Sequence, residues 1–185
     1  MVMMARHLAP TRPPLPTATK ERQAYLRTQL EELGVTREGD GFAWAARPAP
    51  ALLSGLARSC FPEDGSSWED EYQSEFQPAA CGFIRALGAA LEPGALLLLD
   101  YGFPQREYYH PQRATGTPMC HYRHRAHDDP FFLPGLQDIT VHVDFSAIAR
   151  AGADAGLELS GYANQAQFLV NCGLTDLLAE TPADD

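Results

Sequence analysis

Apolar residues along the chain recur at helical spacing in some stretches and alternate or run together in others. In KERQAYLRTQLEELG, Tyr25, Leu26, Leu30 and Leu33 share one stripe and Gly34 offers a stop, so a short amphipathic helix is expected. GDGFAWAARP alternates around Phe42 and Trp44 behind a Gly-Asp-Gly turn, which predicts a strand ending before Pro48. Residues 50–60 (PALLSGLARSC) read as helix, and FPEDGSSWEDEYQSE as a polar, acidic connection. Pro78 to Leu91 spaces Phe83, Ile84, Leu87 and Leu91 three or four apart and is closed by Glu92-Pro93-Gly94, a helix with its stop signal.

The strongest local pattern follows. Ala95-Leu-Leu-Leu-Leu99 is a continuous apolar run, the pattern of a strand covered on both faces in a parallel sheet, and it ends in Asp100-Tyr101-Gly102. Helix, Pro-Gly turn, buried strand and acidic residue make a half-unit of a doubly wound α/β fold. Ligands in such folds gather outside the carboxyl ends of the strands, which places Asp100 and Tyr101 where chemistry is done. Residues 103–137 then read as a long functional loop with few periodic segments. Residues 137–145 alternate as a strand, Ser146 offers a cap for the helix IARAGADAG, and Gly156 ends it. LELSGYA reads as another strand, and AQFLVNCGL as a helix turning Phe168, Leu169 and Leu174 inward before a solvated tail.

Composition narrows the function classes. With 185 residues and 45% apolar residues, one soluble globular unit fits, and no apolar window approaches a membrane span. The formal net charge is −10 with a single Lys, Lys20, which opposes a nucleic-acid phosphate backbone. The charge is uneven. Residues 101–127 hold Arg106, Arg113, Arg123 and Arg125 against one carboxylate, Glu107, together with His110, His121, His124 and His127, while residues 128–185 are strongly acidic. A positive, His-rich segment inside an acidic chain is the first place to seek a site. The four Cys, Cys60, Cys81, Cys120 and Cys172, are dispersed, which fits reduced thiols in the cytoplasm. The Pro-rich start has no apolar signal core and reads as a frayed leader.

Each candidate motif carries two readings. Gly39-Asp40-Gly41 precedes an aromatic strand instead of a helix, so a hairpin turn is favoured over a phosphate loop. Cys120-His121-x-x-His124-x-x-His127 gathers four metal-capable side chains, but without paired Cys or His at helical i, i+4 spacing, and four Arg nearby suit an anion better than a cation; no metal is expected. Asp138 and Asp144 stand six apart on the expected strand and so on one face. Asp144 either caps the following helix or serves with Asp138 as a carboxylate acting on substrate. No Ser or Cys sits on a nucleophile elbow.

From Gly94 onward, GALLLLDYGFPQREYYHPQRATGTPMCHYRHRAHDDPFFLPGLQDITVHVDF and then GYANQAQFLVNCGL resemble the MidA family of class I S-adenosylmethionine-dependent methyltransferases over roughly residues 68–178. DYG, HPQR, HRAHDDP, DITxHVDF and QAQFL carry the resemblance in that order. Mitochondrial members of that family methylate arginine and assist assembly of respiratory complex I. The resemblance implies a Rossmann-like α/β fold with LLLLDYG as the fifth strand, S-adenosylmethionine as cofactor and a protein arginine as acceptor. By the same resemblance Asp100, Asp138 and Asp144 are catalytic, and Tyr101, Gly102, Arg113, His124, His127 and Thr140 bind substrate.

The family's cofactor motifs lie earlier in its sequence and have no counterpart here. The chain is therefore expected to hold the C-terminal half of the sheet with the N-terminal cofactor half missing. The expected divisions are a leader at 1–20, a helix and hairpin region at 21–67, the methyltransferase portion at 68–178 and a tail at 179–185. The rival reading is a truncated, non-catalytic remnant or interaction module. A half-sheet also predicts self-association through the exposed edge of the strand at 95–99.

Overall fold

In the computed structural model the described residues are 3–6, 30–60 and 72–180. They form an α/β arrangement of three small sheets. The first is antiparallel, in the order β3-β2-β1-β4, from β1 (Met3–Arg6), β2 (Glu31–Glu38), β3 (Gly41–Pro48) and β4 (Gln73–Phe76). β2 and β3 are joined by a two-residue turn in which Gly39 takes φ +58°, so the Gly-Asp-Gly segment is the expected hairpin turn. Two expectations change here. Residues 31–34, read as the end of a helix, lie in β2, because Leu33 and Gly34 pair with Ala46 and Ala45; the rest of that expected helix lies outside the described residues. Met3–Arg6 of the expected frayed leader pairs with both β2 and β4.

α1 (Ala51–Cys60) and α2 (Pro78–Ala90) fall where the periodicity puts them, and Pro stands in the first turn of α2, where its missing N–H costs nothing. The core gathers Leu53, Ala57 and Cys60 of α1 against Tyr72, Phe76 of β4 and the tyrosine pair Tyr108-Tyr109. Phe76 and Tyr109 stack at 5.5 Å between ring centroids. Burial drives the Cys60 thiol up to about 11, so it is an inert, protonated packing group.

The run at 95–99 departs most from expectation. It makes no ladder among the described residues, and Leu97 and Leu99 are 65% and 66% exposed. A parallel strand acquires its ladder from neighbouring strands, and no described strand pairs with this run. Parallel pairing begins only where the run ends, between β5 (Gly102–Phe103) and β9 (Val143–Asp144). Residues 157–163, read as a strand, likewise form none. The helix expected near the C-terminus is present as α5 (Gln165–Asn171), followed by α6 (Leu174–Glu180), but neither buries a residue; Phe168 and Leu169 are covered only in part, at 36% and 38% exposure.

The stretch 103–137 is more ordered than its sequence implies. It contains α3 (Gln105–Tyr108), β6 (Met119–Tyr122) and β7 (Arg125–His127), and β8 (Asp138–Thr140) completes an antiparallel sheet in the order β7-β6-β8. The expected strand at 137–145 is broken between β8 and β9. Asp138 is exposed and Asp144 buried, so the two carboxylates do not share a face.

Asp144, rather than Ser146, caps α4 (Phe145–Asp154), accepting from Ala147 N at 3.0 Å. α4 packs on α2 closely enough that a Cβ on Gly88 would stand 2.7 Å from Ala155 Cβ. Gly88→Ala is expected to destabilise by about 1–3 kcal/mol through overpacking. Gly82→Ala, on the same helix with open space around it, should stabilise by roughly 0.5–1 kcal/mol. Urea unfolding of both variants checks the pair. In the same assay Asp144→Ala should cost about 0.5–2 kcal/mol and Asp144→Asn recover most of it, since Asn also caps.

Candidate functional site

Where the apolar run ends, the chain turns by local hydrogen bonds. Tyr101 N donates to Asp100 Oδ1 at 2.7 Å, and Val143 N donates to Tyr101 O at 2.8 Å, which sets the register of β5 on β9. Gly102 is required at that crossing, because a Cβ would run into the Val143 carbonyl and lie 2.8 Å from the Phe145 ring. Asp100 and Tyr101 are left in solvent, Tyr101 at 78% exposure.

Beside them Phe103 carries two basic neighbours. The Arg113 guanidinium lies 4.0 Å from its ring centroid, and the His142 imidazole meets it edge-on at 5.0 Å. Arg113 is aimed by its own loop, since its Nε donates to Glu107 O at 2.9 Å. Burial lowers the His142 pKa first, Arg113 lowers it further, and the Asp100 carboxylate opposes both. The imidazole is therefore neutral near pH 7, and its buried Nδ1 has no hydrogen-bond partner among the described residues. Asp100, Tyr101, Gly102, Phe103, Arg113 and His142 thus form one rim.

Beneath the rim lies a polar cage absent from the sequence reading. Glu75, 1% exposed, accepts from Thr117 N at 3.0 Å and from Thr117 Oγ1 at 3.1 Å, and the Tyr108 hydroxyl stands 3.1 Å from its Oε2. Thr117 Oγ1 in turn accepts from His142 N at 3.0 Å. The His142 carbonyl accepts from Gln77 Nε2 at 2.8 Å and has Tyr108 Oη at 3.0 Å. Gly116, at φ +74°, closes the cage, for any Cβ there would strike the Glu75 carboxyl. Burial raises the Glu75 pKa, against the opposing hydrogen bonds from Thr117 and Tyr108. The signals were faint: a Ser-Glu-Phe triplet in an acidic stretch, and a Gly-Thr pair in a loop.

The other expected residues lie elsewhere. Asp138 and Thr140 are exposed on β8, Asp138 opposite His121 and Thr140 bonding Met119 O at 3.2 Å. His127 sits on β7 with its ring edge-on to Phe132 at 5.3 Å. His124 is at the β6–β7 turn, where Arg123 and His124 both take positive φ, 49° and 63°, without the Gly or Asn such a turn favours. Cys120 and His127 oppose each other across the ladder while His121 points to the other face, so the Cys-His segment does not converge. Asp144 is committed to its cap; burial raises its pKa, and Ala147 N–H, Arg150 and the Tyr109 hydroxyl pull it back.

An exposed carboxylate beside an aromatic ring suits a cation, and the neutral imidazole behind them is a group able to accept a proton. Comparison with known proteins gives this rim its context. No curated protein matches the chain. A protein from Burkholderia thailandensis bound to S-adenosyl-homocysteine is 43% identical, with a TM-score of 0.80, over 98% of this chain and 41% of its own. A second protein of the same superfamily and organism, in a native crystal, is 50% identical, with a TM-score of 0.75, over 84% of this chain and 41% of its own. The chain thus spans about two fifths of the length of these relatives. The family model described as "Putative S-adenosyl-L-methionine-dependent methyltransferase" matches residues 15–163, taking in the β2–β3 hairpin as well as the rim. With most of its length inside that match, the chain belongs to this family of S-adenosylmethionine-dependent methyltransferases.

Proposed function

We propose that this chain supplies the acceptor side of a methyl-transfer site, and that the acceptor is the guanidinium of a protein arginine, as the MidA resemblance implies. The observation carrying the reading is the solvent-facing Asp100-Tyr101 pair at the end of the apolar run, with neutral His142 beside it. A carboxylate accepts guanidinium N–H groups and a phenol ring stacks on the guanidinium plane, so the pair holds the acceptor nitrogen in place. Transfer of a methyl from a sulfonium needs an aligned acceptor rather than a protein nucleophile, which fits the absence of a nucleophile elbow.

The described residues do not by themselves make a cofactor cradle. The Gly-Asp-Gly segment lies in a hairpin turn, and no strand among them runs through a Gly-rich loop into a helix. The cofactor contacts are assigned to the part of a full-length family member that this chain does not span. The unpaired run at 96–99, with Leu97 and Leu99 the most exposed, is the edge on which such a part would pack, and the same edge supports self-association of these 185 residues. Cytoplasmic residence belongs to this reading, supported by four uncrosslinked Cys; no helix among the described residues is long and apolar enough to cross a membrane.

Two measurements test the proposal. Asn in place of the aspartate matching Asp100, in the full-length Burkholderia relative, should lower methyl transfer from radiolabelled S-adenosylmethionine to an arginine peptide by at least about tenfold, the scale of one lost charged hydrogen bond. S-adenosyl-homocysteine affinity by calorimetry should change less than about twofold. Unchanged turnover would remove Asp100 from the site. Micromolar S-adenosyl-homocysteine binding by the 185-residue chain alone would refute the division of labour.

A further inference from the structure

Glu75 is a buried carboxyl that touches the site without belonging to its rim. Its strand, β4, lies 25 residues before Asp100 in sequence, yet its side chain bonds the loop carrying Arg113 and, through Thr117 and Tyr108, both backbone polar groups of His142. We infer that Glu75 is a positioning residue of the acceptor site, a neutral carboxyl whose hydrogen bonds fix where Arg113 and His142 stand. The inference rests on the proposed acceptor site for its function, but its geometry stands alone.

Three observations carry it. First, no Lys, Arg or His among the described residues forms an ion pair with Glu75, and an unpaired carboxylate with 1% exposure is costly. Second, the protons balance. Tyr108 Oη has a single hydrogen and two acceptors within reach, Glu75 Oε2 at 3.1 Å and His142 O at 3.0 Å. Tyr108 can give that hydrogen to only one of them; when it goes to His142 O, a neutral Glu75 supplies the hydrogen between Oε2 and Tyr108 Oη, while Thr117 N and Oγ1 donate to the carboxyl. Third, the fit is tight: Gly116 leaves no room for a side chain against the carboxyl, and Gln73 N donates to Ala114 O at 2.8 Å, which fastens β4 to the loop just after Arg113. The titratable groups facing Glu75 are the phenols Tyr72, ahead of β4, and Tyr108 of α3; those facing His142 are Arg113 and Asp100.

The test is a titration of the His142 imidazole by NMR, with its resonance identified from a His142→Gln variant, alongside urea unfolding at several pH values. Glu75→Gln keeps the shape, leaves Oε1 to accept from Thr117 N, turns amide N–H groups toward Tyr108 Oη and Thr117 Oγ1, and has no proton to lose. It should leave the His142 midpoint in place and the protein folded. The sign of the pH effect follows from the raised carboxyl: wild type holds its stability at low pH and loses part of it as pH rises through the unfolded carboxyl range toward the folded one. The stability of Glu75→Gln relative to wild type should therefore increase as pH rises above the unfolded carboxyl range near about pH 4.

Glu75→Ala, which strips Thr117 and Tyr108 of their partner, should move the His142 midpoint up toward the ordinary range. If that variant does not fold, Tyr108→Phe should show the same direction with a smaller shift. Three results overturn the inference: a Glu75→Gln midpoint displaced like that of the alanine variant, an alanine or phenylalanine variant with an unmoved His142, or wild-type and Gln curves that stay parallel across pH. None of these readouts uses cofactor or methyl acceptor, so a failure of the methyl-transfer assay leaves them interpretable, and their failure leaves the Asp100 assignment intact.

Discussion

The hydrogen-bonded cage around the Glu75 carboxyl makes a single surface out of segments that are remote in sequence. β4 and α3 also meet through Phe76 and the tyrosine pair, whereas Thr117 and the His142 backbone join them through polar contacts. The carboxyl gives them a common centre, and Tyr108 carries the connection from that centre into the core beside Tyr109 and Phe76. A buried polar group of this kind is favourable only when its partners are complete. Losing one partner would therefore disturb elements that do not touch each other directly, Arg113 and His142 among them.

Placement of Asp100 and Tyr101 follows from a different constraint. Gly102 lets β5 approach β9 at van der Waals distance, and the resulting two-residue parallel pair fixes the direction in which the run at 95–99 must leave. The rim is thus held from below by hydrogen bonds and from the side by backbone pairing. Phe103, with Arg113 and His142 against its ring, is where the two supports meet.

Much of the local structure was legible in the sequence. Periodicity placed α1 and α2, the Gly-Asp-Gly turn placed the β2–β3 hairpin, and the acidic end of the leucine run pointed to Asp100. What could not be read were relations across distance. Glu75 and Thr117 are 42 positions apart and nothing in either segment announces the other. The leucine run reads as a buried strand because its composition records a burial that its neighbours must provide, and the described residues cover Leu96 and Leu98 in part but give the run no ladder. The even spacing of Asp138 and Asp144 misled because an alternation rule holds only within an unbroken strand. The break between β8 and β9 sends one carboxylate to solvent and the other to a helix cap.

The leucines at 96–99 also bear on how the molecule responds to solvent. Side chains already in water contribute little new surface when the chain opens. The heat capacity increment and the denaturant dependence of unfolding both scale with apolar area newly exposed. Cooperativity in this chain is accordingly concentrated around the tyrosine pair and the α2–α4 contact. Leu97 and Leu99, the more exposed of the four, add least to either quantity.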